Sequence, residues 1–315
     1  MEQITATRAT QDQAWIDQNK LIDWMAAPGM ADYVNALVSG QKLADGGHWA
    51  LYANRKFVKP LSEKLGRPLS LVSFGCGDGH IEQSLIAEFG WPINKVLGLE
   101  YDSLLRKGLL DRFHALPGVE CRAEFFDFNH VNSFETDETF DVIFCCHALH
   151  HAFGLEELLP YINTKLRPDG IFVGIEYLGP SRFQVDHEVR PILEQLFALL
   201  PASMRRNLSH EGREDQQFAV ATIAEVAKAD PSESVRSSDL RTLLLASFPV
   251  IEIQPMGGTL LRWLLQNRAG NLRSDIEEHR TIAGLLQFIE GSLIRTKQIQ
   301  SDDLFFVLGK SDRLG

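Results

Sequence analysis

The sequence predicts an α/β fold, a doubly wound and mostly parallel seven-stranded sheet with helices on both faces. Three observations carry that expectation. Residues 69–177 alternate apolar, strand-like runs with amphipathic helical ones, the pattern of a parallel sheet with right-handed crossovers. The first of these strands runs into three alternate glycines, Gly75, Gly77 and Gly79, and then straight into a helix. The second ends in an acid, Glu100. Strand, glycine turn, helix, strand and acid together form the nucleotide-binding half of such a sheet.

Before the sheet, residues 1–65 read as a helical N-terminal cap. Trp15, Ile16, Leu21, Ile22 and Met25 make one apolar stripe, broken by Pro28-Gly29. Met30–Val38 follows, and a third helix carries Trp49, Tyr52, Ala53 and Phe57 toward Leu65. The core, 66–180, places strands at 69–74, 95–100, 119–125, 140–146 and 171–177. Helices are expected near 80–89, 103–116 and 155–166, the last closed by a turn at Leu166-Arg167-Pro168-Asp169-Gly170.

From 181 to 238 a helical insertion follows strand five. Glu188–Leu200 carries an apolar face, a second helix spans Phe218–Lys228, and Asp230-Pro231-Ser232 punctuates. Compact connections are short, so a segment this long reads as a lid or acceptor-binding region. The other use for its amphipathic helices is the face of a homodimer. Residues 239–315 complete the sheet. Ser238-Asp239 caps a helix bearing Leu240, Leu243 and Leu244, a strand covers 249–260, a helix covers 275–297, and Leu304–Leu308 is the last strand.

A formal charge of −11 disfavours nucleic acid and anionic membrane surfaces as partners. No apolar run approaches the roughly 20 residues that span a bilayer. Met1-Glu2-Gln3-Ile4-Thr5 lacks the basic and apolar regions of a signal peptide, so the expected location is cytoplasmic. The four cysteines, Cys76, Cys121, Cys145 and Cys146, form no CxxC pair and read as buried, reduced thiols.

The glycine turn is G-x-G-x-G, with His80 where a dinucleotide fingerprint would place its third glycine. Three further segments follow in order. They are Asp127-Phe128 after strand three, Phe140-Asp141-Val142-Ile143-Phe144-Cys145-Cys146-His147-Ala148-Leu149-His150-His151 at strand four, and Leu166–Phe172 into strand five. In this combination and spacing, residues 69–177 resemble the class I S-adenosylmethionine-dependent methyltransferases. The resemblance implies S-adenosylmethionine as cofactor, with Gly75, Cys76 and Gly77 along its methionine moiety. It implies Glu100 on the ribose, Tyr101 packed on the adenine, and Asp127 with Phe128 holding the adenine by side chain and backbone. Cys145, Cys146 and His147 would pass beside the methionine and the sulfonium. Such a donor carries no phosphate, so its site needs close backbone approach rather than a phosphate-cradling helix terminus. One departure is clear: these enzymes close with a tight hairpin of strands six and seven, and here the helix 275–297 separates them.

Methyl transfer is mainly in-line positioning, to which a base adds about 10²–10⁴ when a hydroxyl must lose its proton. The ligand edge of strands four and five offers His147, His150, His151 and Glu176, and we expect His147 or Glu176 as the base. A metal is not expected, because neighbours such as Cys145 and Cys146 point to opposite faces of a strand. Tyr161 and Lys165 have the spacing of a dehydrogenase pair but lack its glycine turn. Beyond strand five, His151, Tyr177, Arg182, Gln184 and Arg236 are the expected acceptor residues, and an arginine pair would suit an anionic group. Segments 176–184, 230–238 and 257–261 look like a bacterial subgroup tied to glycan and natural-product pathways.

The expected activity is methyl transfer to a small-molecule or sugar-like acceptor, at oxygen rather than nitrogen, sulfur or carbon. Two readings stand against it. Nucleic-acid methylation would bring basic patches and an N-P-P-Y-like motif, where this chain has Cys145-Cys146-His147-Ala148. A non-catalytic regulatory subunit would bind the donor without turnover.

Overall fold

A computed structural model describes residues 23–40 and 48–312. The stripe of Trp15, Ile16, Leu21 and Ile22 and the reading of Met1–Thr5 lie outside the described residues. Seven strands form one sheet: β1 (Leu69–Phe74), β2 (Ile93–Glu100), β3 (Glu120–Phe125), β4 (Phe140–Cys146), β5 (Leu166–Tyr177), β6 (Val250–Gly257) and β7 (Asp303–Gly309). Their order is β3-β2-β1-β4-β5-β7-β6. β1 pairs in parallel with both β2 and β4, β2 with β3 and β4 with β5, whereas β7 runs antiparallel to β5. The order reverses at β1/β4, so the crevice for a ligand opens at the carboxyl ends of those two strands.

The described chain divides into two compact units. The sheet unit holds Val38–Gln184, Thr222–Met256 and the residues from Asp302 onward. On one face of the sheet, Val72, Phe74, Leu97, Leu99 and Cys145 are buried in one cluster with Leu155, Leu158, Leu159 and Ile162 of the helix Leu155–Lys165. Leu240 and Leu244 of the helix Ser237–Ser247 join the same cluster. On the other face Trp49 stacks on Phe144 at 6.2 Å between ring centroids, and Trp91 meets that ring edge-on. Burial on both faces matches β1, where all six positions are buried, Ser70 and Ser73 included.

The second unit gathers residues up to Leu37 with Val185–Ala221 and Gly257–Ser301. Its centre is Glu290, fully buried in the helix Glu277–Arg295, which accepts from the N–H groups of Leu260 and Leu261 and from the Tyr33 hydroxyl. Arg268 lies over the Phe197 ring at 5.1 Å and pairs with Asp215. The insertion expected at 181–238 is therefore divided, since Val185–Ala221 belongs to this unit and Thr222 onward to the sheet unit.

Several boundaries differ from expectation for local reasons. The helix expected at Phe218–Lys228 spans Ile223–Ala229, because Thr222 and Glu225 close a capping box that starts it. Ser238 and Asp239 do not cap the helix Ser237–Ser247. They lie in its first turn, where Ser238 binds Ser181 and Asp239 binds Arg236. The turn at Leu166–Gly170 is an irregularity inside β5: Leu166 pairs with Phe140, then the register jumps to Ile171 against Val142. Asp141 sits at that jump. Its buried carboxylate accepts two bonds from Arg67, one from Arg167 and one from the Ser70 N–H, each at 2.8–2.9 Å. β6 ends at Gly257 rather than 260, and a short helix, Leu261–Leu265, follows. A two-stranded ribbon, Arg206–Asn207 with Arg213–Glu214, had no legible pattern.

Candidate active site

At the carboxyl ends of β1, β2 and β4 lies a cavity of about 470 Å³, within the size range of small-ligand sites. Gly75 forms its floor at φ +66°, and a Cβ there would fall 2.4 Å from the Ala148 Cβ and 3.1 Å from the Phe128 ring. Only glycine lets the turn pass between those walls. Gly77, at φ +56°, has nothing within 4 Å of its would-be Cβ, so the backbone there faces open space. Gly79 does different work: a Cβ would strike Leu109, so it seats the turn on the helix Ser103–His114.

Glu100, at the end of β2, lines the cavity and closes the turn. Its Oε2 accepts from the Gly77 N–H and its Oε1 from the Asp102 N–H, both at 2.9 Å. A carboxylate has about four acceptor sites, so capacity remains for a vicinal diol. Tyr101, 65% exposed, lies 5.5 Å from the Phe125 ring on the same rim. Asp127 is held by the Asn129 N–H and by His130, each at 2.8 Å, and Phe128 packs edge-on to Phe126. Leu99, Phe126, Asn129, Ala148 and Ser232 also line the cavity. Sequence patterns do not single them out, although adjacency to motif residues could have pointed to the first four.

The other predicted donor residues lie deeper. Cys76 turns its thiol under the loop toward the Leu99 carbonyl at 3.6 Å. Cys145 is packed into the core beside Glu176, whereas Cys146, on the opposite face, feels the charges of Glu176, Glu82 and Asp303. Burial pushes all three thiols up, so they are neutral. Behind the turn lies Glu82, buried to 2% exposure. Its Oε1 accepts from Ser73 at 2.5 Å, and burial raises its carboxyl to about 7.

His147 and His151 also line the cavity. His147 is exposed and adopts φ +49°, a conformation rare outside glycine and characteristic of functional turns. Its N–H still bonds the Ile175 carbonyl at 2.8 Å, which extends the β4–β5 ladder by one residue. Glu176 does not reach the cavity. Buried to 1% exposure, it accepts from the N–H groups of Ala148, Leu149 and Tyr177 at 2.8–3.0 Å and pairs with His150. Burial opposes its charge, but His150, His147 and the Leu149 N–H outweigh burial and hold the carboxyl below its usual range. His147, His150 and Glu176, and likewise His150, His151 and Glu233, bring potential ligand atoms within 4.8 Å of one another. Neither cysteine of β4 joins such a group among the described residues.

Of the five predicted acceptor residues, His151 alone lines the cavity. The Tyr177 hydroxyl donates to the Pro180 carbonyl at 3.0 Å. Arg182 donates to the Pro231 carbonyl, and the Gln184 amide to the carbonyls of Arg182 and Phe183. Arg236 grips both carboxylate oxygens of Glu156, at 2.7 and 2.8 Å, and the Phe153 carbonyl. These arginines fasten the segment Asp230–Ser238 to the rest of the sheet unit. Tyr161 and Lys165 likewise spend their polar atoms on the carbonyls of Phe134 and Thr136, which removes the dehydrogenase reading.

Comparison with known proteins adds the chemistry. A family model described as a methyltransferase domain matches residues 47–218, more than half of the chain. The mitochondrial arginine-hydroxylase NDUFAF5 of Mus musculus is 28% identical over 118 residues, and its Rattus norvegicus counterpart 27%. The chain spans about a third (31%) of the length of these curated relatives and matches them over 38% of its own. Among solved structures, an S-adenosylmethionine-dependent methyltransferase from Mesorhizobium loti aligns with TM-score 0.43 and 15% identity, over 83% of this chain and 96% of that one. The CurJ carbon methyltransferase aligns with TM-score 0.46 and 16% identity, over 98% and 70%. No helix among the described residues is long and apolar enough to cross a membrane.

Proposed function

We propose that this chain, which belongs to the methyltransferase-domain family and takes its methyl group from S-adenosylmethionine, transfers that group to a hydroxyl of a small, uncharged acceptor. One observation carries the reading: a glycine floor, the Glu100 carboxylate and two histidines line one and the same cavity. The donor half takes the ribose on Glu100, the adenine between Tyr101 and Asp127-Phe128, and the methionine over Gly75 and Gly77. The bound donor supplies an electrophilic methyl carbon on a positively charged sulfur. Everything else is orientation and proton handling by the chain.

Arg182 and Arg236 are committed to internal partners, which argues against an anionic acceptor and for a neutral one of the sugar-like or natural-product kind. Glu176 acts as a positioning residue: through Ala148, Leu149 and His150 it sets the turn that presents His147 and His151. The same hydrogen bonds argue for chemistry without a metal, since Glu176 and His150 already satisfy each other. The acidic balance of the chain favours no nucleic-acid partner, and a cytoplasmic location fits its unpaired thiols.

Calorimetry with S-adenosylhomocysteine tests the donor half. We expect micromolar affinity, weakened about 10- to 100-fold by Glu100→Ala, the equivalent of one or two charge-assisted hydrogen bonds. Preference for NAD would sink the proposal. Transfer of a radiolabelled methyl group to a panel of hydroxylated aromatics and sugars tests the acceptor half, and labelling only of amines or thiols would overturn the assignment to oxygen.

A further inference from the structure

We propose that His151 is the proton acceptor of this cavity, held by Ser232 and Asp230 in the tautomer that leaves its Nε2 unprotonated. The inference rests on the methyltransferase reading above and assigns the base to a residue whose orienting partners come from a distant segment.

The hydrogen bonds decide the tautomer. Asp230 ends the helix Ile223–Ala229, and its Oδ1 accepts from the Ser232 N–H at 2.8 Å and from the Ser232 hydroxyl at 2.6 Å. A hydroxyl has one proton, and here it points at the carboxylate. The Ser232 oxygen therefore meets His151 Nδ1, 3.0 Å away, as an acceptor, and Nδ1 carries the hydrogen. The lone pair of the ring is then on Nε2, to which no hydrogen bond is made among the described residues. His151 and Ser232 both line the cavity, so the pair belongs to the same space as the donor site.

The segment that carries Ser232 is built to stay in place. The Val235 N–H donates to the His150 carbonyl at 3.2 Å, Arg182 ties the Pro231 carbonyl, and Arg236 ties the segment to Glu156. Ser234, fully buried at φ +45°, sets the bend between them. Among the described residues, three titratable groups face the His151 ring, with Glu176 behind the first of them. His150 lies 4.3 Å away on the same turn with its Nδ1 bound to Glu176, and Glu233 and Asp230 come from the facing segment. Burial and His150 pull the imidazole below its ordinary value, against the upward pull of Glu233, Asp230 and Glu176. Burial likewise opposes the charge of Asp230, but the bonds from Ser232 prevail and keep it ionised. A neutral imidazole beside a fixed anion is the combination a general base needs near neutral pH.

The step balances within the site. As an acceptor oxygen forms its bond to the methyl carbon, its proton passes to Nε2 and the carbon–sulfur electron pair returns to sulfur. The sulfonium charge disappears, and the new imidazolium charge is offset by Asp230 through Ser232.

Histidine ¹⁵N NMR on the full chain with S-adenosylhomocysteine tests this without turnover. We expect the His151 signals of an Nδ1–H tautomer at pH 7.5, titrating below the ordinary histidine value of about 6.5. Ser232→Ala and Asp230→Asn should shift the population toward the Nε2–H form, and Ser232→Thr, which keeps the hydroxyl, should restore it. Carbethoxylation by diethyl pyrocarbonate, located by mass spectrometry, should mark His151 and slow at least threefold with saturating S-adenosylhomocysteine. An Nε2–H tautomer in the unsubstituted protein, indifference to Ser232→Ala, or stoichiometric zinc or iron on His150 and His151 would each overturn the proposal. Failure of S-adenosylhomocysteine to bind in calorimetry would instead overturn the donor reading, and the tautomer measurement on the free protein would still decide the relay.

Discussion

Gly75 shows how little room single residues leave at this site. A Cβ at φ +66° would strain the backbone and collide with Ala148 and Phe128 together. We expect Gly75→Ala to cost about 1–3 kcal/mol of stability and to abolish calorimetric donor binding. Asp141 is the corresponding anchor at the opposite end of β4. Burial opposes its ionisation, but Arg67, Ser70 and Arg167 outweigh it and hold the carboxyl far below its usual range. A carboxylate depressed in the folded state adds stability above its unfolded value of about 3.9, and that stability is lost as pH falls toward the folded value. Asp141→Asn should destabilise the protein at pH 7 by about 1–3 kcal/mol and flatten the acid side of its stability curve in urea titrations.

At the level of elements, the helix His80–Ala87 carries the opposite case. Burial raises Glu82 to about 7, above its unfolded value of about 4.3, so the folded state holds the proton more tightly. Stability from this group is present at low pH and declines as pH rises from about 4 to 7. Glu82→Gln should remove that decline and raise Tm at pH 8, and an unchanged slope would contradict the assignment. The segment Asp230–Ser238 makes a different point. Its residues read as a turn and a helix cap, yet its contacts reach His150, His151 and Glu156 across some eighty positions of sequence. Arg236→Ala should raise amide hydrogen exchange over 230–236 while leaving S-adenosylhomocysteine affinity within about threefold, because no donor-side residue depends on it.

For the molecule as a whole, every residue lining the cavity belongs to the sheet unit. Donor binding should therefore stabilise that unit by mass action. S-adenosylhomocysteine at a hundred times Kd adds about 2.7 kcal/mol, which for a unit of this size corresponds to a rise in Tm of about 5–11 °C. If scanning calorimetry resolves two transitions, one alone should move with ligand.

The stretch from Leu69 to Glu100, with Asp127-Phe128 and the end of β4, could be read from the chain because it is written in local signals. A glycine demands a positive φ wherever it folds, an apolar run seeks the sheet interior, and an acid at a strand end follows from topology. These determined the fold class and the family, and they single out the residues proposed for the donor. The acceptor half could not be read in that way. Tyr177, Arg182, Gln184 and Arg236 are polar residues near the right edge, and their partners lie on neighbouring loops and carbonyls that no spacing reveals. Glu176 reads as a base from the chain, whereas in the structure three backbone N–H groups and an imidazole surround its buried carboxylate, the basis of the positioning role proposed for it. The tautomer of His151 was decided by a serine 81 positions away. Local sequence determines backbone conformation and burial. Which polar atom satisfies which other is settled only when distant segments pack, and that pairing decides which side chains remain available for chemistry.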